Sequence, residues 1–133
     1  MLNGKQHSDK HDMDSKELSD KVISRVIAVD DKEFADLSVS RLAIWFQIDR
    51  TKLSRQFKRS TSMTLEHFLF KQKMARAAFL LNADGNITVK EVSGRIGFCT
   101  SDYFIRKFRE HFGVVPGRYR DLKKMRAVNF AAH

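Results

Sequence analysis

One pattern occurs twice in this chain, about fifty residues apart, and few folds can accommodate it. Val39 to Lys58 reads VSRLAIWFQIDRTKLSRQFK, and Val89 to Arg109 reads VKEVSGRIGFCTSDYFIRKFR. In each, a short amphipathic segment with apolar Leu42 or Val92 and small Ala43 or Ser93 runs to Phe46 or Ile96. A tight break follows at Gln47-Ile48-Asp49 or Gly97-Phe98-Cys99-Thr100. A second segment then begins, with Leu53 and Phe57, or Phe104 and Phe108, at i, i+4 spacing. Apolar residues at that spacing lie on one helix face, so the pattern predicts a helix-turn-helix, twice.

The phase of each second helix decides which side chains project from it. If Leu53 and Phe57 point inward, then Thr51, Ser54, Arg55 and Lys58 lie opposite, because a helix advances about 100° per residue. In the second repeat, inward Phe104 and Phe108 leave Asp102, Ile105, Arg106 and Arg109 outside. A helix entering a DNA major groove must present hydrogen-bonding heads to base edges and cations to phosphates. Thr51, Ser54 and Arg55 are therefore expected at base edges in the first repeat, with Arg50 and Lys58 on phosphates. In the second, Ser101, Asp102 and Arg106 are expected at bases, with Lys107 and Arg109 on the backbone. Asp102 can accept from a cytosine amine, but an acid near phosphates is costly unless it also restrains Arg106 four residues on.

At these residues the chain resembles the AraC/XylS family of bacterial transcription regulators. The second repeat carries Ile96-Gly97-Phe98, Tyr103-Phe104, Arg106, Phe108, Phe112-Gly113, Pro116 and Tyr119-Arg120. The first contributes Leu42-Ala43, Leu53, Arg55 and Phe57-Lys58, and the connecting segment contributes Met74, Ala77 and Leu80-Leu81. The resemblance spans Ser38 to about Leu122. Four positions depart from the family pattern. Gln47 stands where the first turn often has Gly, so it is expected at φ > 0 at a cost of about 1 kcal/mol. Ser93 replaces the usual Ala, and a hydroxyl pressed between helices needs a partner, for which the carbonyl four residues back is the candidate. Lys73 occupies a position where Arg is common, and Val115 one where Ser or Thr often caps the last helix.

Charge agrees with an anionic partner. The formal net charge is +9, but residues 1 to 37 hold six Lys/Arg against nine Asp/Glu, so the remainder carries +12. The basic footprint coincides with the duplicated region, as counterion release from double-stranded DNA requires. RNA is disfavoured because no interleaved aromatic platform or Gly-rich loop is present for stacked bases. A membrane is disfavoured because no apolar run approaches spanning length, and the absence of a signal peptide's apolar core points to a cytoplasmic product. Cys99 is the only cysteine, and His7 and His11 share i, i+4 spacing in a polar leader, so no metal or cofactor is expected. No nucleophile-base-orienter set supports catalysis.

Along the chain, residues 1–13 read as a disordered polar leader. Asp14 with Glu17 marks a capped start, and Leu18, Val22, Ile23, Val26 and Ile27 mark one face of a helix, followed by a loop rich in Asp and Lys, over 14–37. The first helix-turn-helix takes 38–63, with Ser38 and Asp49 as caps. A linker helix opening at Thr64 takes 64–84, with apolar Leu65, Phe68, Leu69, Met74, Ala77, Ala78 and Leu81. Its nineteen residues span roughly 28 Å, near the ~34 Å between major-groove faces on one side of B-DNA. Such a helix suits a spacer that sets two recognition helices in successive grooves, the use the resemblance also implies. The second helix-turn-helix and a final helix take 85–126, with a Thr88/Glu91 capping box, Thr100 as cap, Gly113 as stop and Pro116 as start. Residues 127–133 form a tail without clear period. The chain thus reads as all-α, seven helices in two three-helix, homeodomain-like lobes.

The function this supports is sequence-specific transcription regulation by a non-enzyme that binds as a monomer. Two rivals remain: the output domain of a larger sensory or receiver-coupled regulator, and a non-specific architectural protein, which the absence of apolar wedges on the projecting faces disfavours. Ile44 and Trp45 stand where the family more often has polar residues. Either they bury against the N-terminal helix, or they form an exposed patch for dimerisation or for RNA polymerase.

Overall fold

Helix starts in this chain are set by side-chain oxygens that accept the otherwise unpaired N–H groups of the first turn. The structure is a computed structural model that describes residues 14–132. The polar leader expected at 1–13, with His7 and His11, lies outside the described residues. Among those described there are eight helices and no strand: α1 (Ser15–Ala28), α2 (Asp31–Ala35), α3 (Val39–Trp45), α4 (Arg50–Thr61), α5 (Leu65–Ala83), α6 (Val89–Arg95), α7 (Ser101–Phe112) and α8 (Pro116–Ala132). Asp14, Asp30, Ser38, Asp49, Thr88 and Thr100 each accept from the N–H three residues on. Thr64 does the same for His67 at 3.1 Å. At α6 the Glu91 carboxylate also accepts from the Thr88 N–H, at 3.2 Å, closing the expected capping box. None of these helices is long and apolar enough to cross a membrane.

The chain folds as two units. The first comprises residues 14–29 and 37–69. Leu18, Val22 and Val26 of α1 are buried, as are Leu42 and Ala43 of α3, Leu53 and Phe57 of α4, and Leu65 and Leu69 at the start of α5. Phe57 and Phe68 meet with ring centroids 5.6 Å apart. α1 packs along α4, and Ser19, itself buried, hydrogen-bonds through its hydroxyl to that of Ser60. Ile27, expected on the apolar stripe, is exposed instead. It stands five residues beyond Val22, about 140° round the helix, whereas Val26 keeps the i+4 phase.

The second unit comprises residues 30–36 and 70–132. Met74, Ala77, Leu80 and Leu81 of α5 pack with Ile87, Val92, Ile96, Phe104 and Phe108. An aromatic ladder runs through it, with centroids 5.2 Å apart for Phe98 and Phe104, 5.7 Å for Phe104 and Phe108, and 5.3 Å for Phe108 and Tyr119. The stretch expected as a loop rich in Asp and Lys is here a short helix, α2, which makes eight helices among the described residues where seven were expected. Five residues show no period, so its cause is local and tertiary. Asp30 caps it, and Asp31 and Glu33 complement the dipole in its first turn. Its one aromatic, Phe34, is buried, which contributes about 1.5–3 kcal/mol. Arg76 of α5 secures it, with its guanidinium 4.2 Å over the Phe34 ring and 2.9 Å from the Asp31 carboxylate. α8 continues to Ala132, through the stretch without clear period.

The two helix pairs are joined by the same turn. Gln47 at φ 54° and Gly97 at φ 90° both occupy the left-handed region. The N–H groups of Gln47 and Ile48 donate to the carbonyls of Ile44 and Ala43 at 3.1 and 3.0 Å, and those of Gly97 and Phe98 to Gly94 and Ser93 at 3.2 and 3.0 Å. This 5→2 and 6→1 pairing is the Schellman arrangement, with half-buried Ile48 and Phe98 as its apolar followers. The expected positive φ at Gln47 is present. The Ser93 hydroxyl does not bond the carbonyl four residues back but donates to that of Thr100 at 3.3 Å, because the turn brings the cap of α7 over it.

These turns differ in what they tolerate. A Cβ on Gly97 would lie 2.7 Å from the Ala35 carbonyl oxygen, so Gly97 is required by both space and backbone. Gly97→Ala should lower stability by more than about 1 kcal/mol, seen as a fall in Tm of several degrees. Gln47→Gly, which relieves a left-handed side chain, should be neutral or stabilise by up to about 1 kcal/mol. Equal losses in the two variants would show that the turns are not governed by this geometry.

Candidate nucleic-acid interface

Each second helix buries one stripe and projects the other. On α4, Leu53 and Phe57 are buried, while Arg50, Thr51, Arg55 and Lys58 are exposed and Ser54 is half-buried. Asp49 accepts from the Lys52 N–H at 3.1 Å, so the helix begins at Arg50 and carries Thr51 and Arg55 on successive turns of the outward face. Two of its cations are engaged locally. The Arg50 guanidinium donates to the Ser40 hydroxyl of α3 at 2.9 Å, and the Lys58 ammonium donates to the Ser62 carbonyl at 3.1 Å. Lys58 and Arg59 lie in the last turn of α4, and Arg109 in that of α7. There they also complement the helix dipole.

On α7, Phe104 and Phe108 are buried, Asp102, Arg106 and Arg109 are exposed, and Ser101 and Lys107 are half-buried. Ile105, expected outside, is half-buried against the core of its unit. It lies next to Phe104 at the edge of the apolar stripe, where an aliphatic side chain gains by leaning inward. Asp102 makes no ion pair with Arg106. The neighbour of that guanidinium is Tyr103, 43% exposed, whose ring centroid lies 5.2 Å from Arg106 and 5.6 Å from the Lys107 ammonium. Lys107 also approaches Glu110 at 3.6 Å. In the sequence Tyr103 stands out only as part of the Tyr103-Phe104 motif. The signal was an aromatic three residues before Arg106 and just outside the buried pair.

Trp45 is 59% exposed and Ile44 77%, so burial against the N-terminal helix is not what they do. α1 offers Trp45 a cation instead of its apolar stripe: the Arg25 guanidinium lies 3.8 Å over the indole. The stripe itself is already occupied by α4.

A capped short helix, a left-handed Schellman turn and a second capped helix with a cationic outer face, present in each unit, define a duplicated helix-turn-helix protein. A family model for the helix-turn-helix domain matches residues 42–122. The chain belongs to the AraC/XylS family of helix-turn-helix regulators. It is 34% identical over 91 residues to the uncharacterized HTH-type transcriptional regulator YpdC of Escherichia coli strain K12, covering 68% of this chain and 32% of that protein. Among solved structures it is similar to the C-terminal domain of AraT, a response regulator from Geobacillus stearothermophilus, at 27% identity and TM-score 0.69, covering 79% of this chain and 84% of that one. It is also similar to the DNA-binding domain of AdpA, a global transcriptional factor solved in complex with a target DNA, at 27% identity and TM-score 0.68, covering 77% and 93%. The chain spans a third or less of the length of the first curated relatives it matches.

Trp45 is the only tryptophan, so its surroundings can be read directly. Its emission should be that of a water-exposed indole and readily quenched by acrylamide. A blue-shifted, unquenched signal would contradict the exposure described here.

Proposed function

We propose that this chain is a sequence-specific DNA-binding regulator of transcription, in which α4 and α7 each enter a major groove. The observation that carries this reading is the repeated turn: a left-handed residue at the same position and the same two hydrogen bonds precede both cationic helices. In α4, Thr51, Ser54 and Arg55 read base edges and Arg50 and Lys58 hold phosphates. In α7, Ser101, Asp102 and Arg106 read bases and Lys107 and Arg109 hold phosphates. Lys58 donates one N–H to the Ser62 carbonyl and keeps two more donors for a phosphate. One chain carries two readers, so it binds as a monomer, where a single helix-turn-helix needs a dimer. Its place of action is the cytoplasm. RNA polymerase is the further partner that exposed Ile44 and Trp45 would serve.

A second reading keeps the DNA chemistry and makes the chain the output part of a larger regulator. It is favoured by the third or less of its relatives that the chain spans and by the AraT domain, which is part of a response regulator. The mass of the native protein in its cell separates the two.

Base readers and phosphate contacts respond differently to truncation. Arg55→Ala should cost about 1–3 kcal/mol on the preferred duplex and relax preference at one or two base pairs. Lys58→Ala or Arg109→Ala should weaken preferred and random duplexes alike, and reduce the log-log salt slope by roughly 0.9 each. Equal loss on all duplexes for Arg55→Ala would assign Arg55 to phosphate, and unchanged slopes for the lysine and arginine variants would take those residues off the DNA.

A further inference from the structure

We propose that Tyr103 is a positioning residue, whose ring holds the Arg106 guanidinium in the orientation from which it reads bases. The inference rests on α7 being a reader of DNA, and goes beyond it by naming what directs its arginine. An exposed arginine has several rotatable bonds and loses their freedom on binding, so a group that pre-orders the guanidinium raises affinity and selectivity without touching DNA. Arg106 has such a group at i−3, with its guanidinium 5.2 Å from the Tyr103 ring centroid. The expected alternative, a pairing with Asp102, is not made.

The ring is itself held. Phe98, in the turn, lies 5.7 Å from Tyr103 and 5.2 Å from Phe104, and Phe104 lies 5.7 Å from Phe108. Phe104 and Phe108 are wholly buried. A line of four aromatic rings therefore runs from the core of the second unit to the surface and ends under Arg106. Lys73 sits over Phe98 at 5.1 Å, on the same ladder.

The first unit lacks this device. By register from the caps, Asp49 corresponds to Thr100, Arg55 to Arg106 and Lys52 to Tyr103. Arg55 thus has a cation where Arg106 has a ring. The two arginines occupy the same place in the same motif, and one of them is pre-ordered.

The test uses the full chain and the duplex that it enriches from a random pool. Binding to that duplex, to single-base variants of it and to a random duplex is measured for Tyr103→Phe, Tyr103→Leu, Arg106→Ala and the double variant Tyr103→Leu/Arg106→Ala. Tyr103→Phe keeps the ring and should bind as the parent does. Tyr103→Leu should lose about two- to five-fold on the preferred duplex, as expected of one exposed cation–π contact. It should weaken discrimination at the base pairs that Arg106→Ala relaxes, leave random DNA unaffected, and have no further effect once Arg106 is gone. Should the leucine variant unfold, Tyr103→Met is read in the same way. Loss in Tyr103→Phe equal to that in Tyr103→Leu would make the hydroxyl a DNA contact and overturn the proposal. So would uniform weakening on every duplex, or losses that simply add in the double variant. An Arg106→Ala variant with unchanged base preference would instead overturn Arg106 as a base reader, and the proposal with it, before any tyrosine result is consulted.

Discussion

Both halves of this protein depend on reversing the chain after a seven-residue helix and sending it off as a projecting helix. Two backbone N–H groups do this in each unit by turning back onto carbonyls three and five residues earlier. That pairing requires a residue at φ > 0, and the chain solves the requirement in two ways. Gly97 adopts the conformation freely and leaves room for the Ala35 carbonyl, whereas Gln47 adopts it at a steric cost that packing must offset. Because the turn fixes where α4 and α7 start, it also fixes which of their residues face outward. The caps at Asp49 and Thr100 then hold that phase from the first N–H onward.

Behind the turns the two units are built differently. The first backs α4 with α1, through Leu18, Val22 and Val26 and the serine hydroxyl pair at Ser19 and Ser60. The second backs α7 with an aromatic ladder and holds its turn under α2, pinned by Phe34 and Arg76. A single motif is thus backed once by the aliphatic stripe of α1 and once by a ladder of rings. The ring-based version places an aromatic beside its outward arginine, which the aliphatic version does not.

Much of this was legible in the residues, and what was not has common causes. Caps at Asp14, Ser38, Asp49, Thr88 and Thr100 were readable because a capping oxygen acts within three residues of itself. The left-handed Gln47 followed from the family resemblance, in which Gly often holds that position of the first turn. α2 was not readable, because a five-residue helix carries no period and Phe34 finds its pocket only in the folded unit. Burial and exposure of Trp45 both stayed open in the sequence, because α1 spends its stripe on α4, which no local pattern reveals. Ser93 bonds the Thr100 carbonyl, seven residues ahead, and Arg106 lies by Tyr103 rather than Asp102. Each of these depends on which of several reachable partners the tertiary packing brings closest.

On the proposed function, one chain carries two unlike readers of DNA. Enrichment of bound duplexes from a random pool by the full chain, followed by the stoichiometry on the winning duplex, tests it most directly. The expected result is a preferred site with two unlike elements, occupied by a single copy. Retention of all duplexes alike, or a site made of one element repeated in inverted order and bound by two copies, would contradict it.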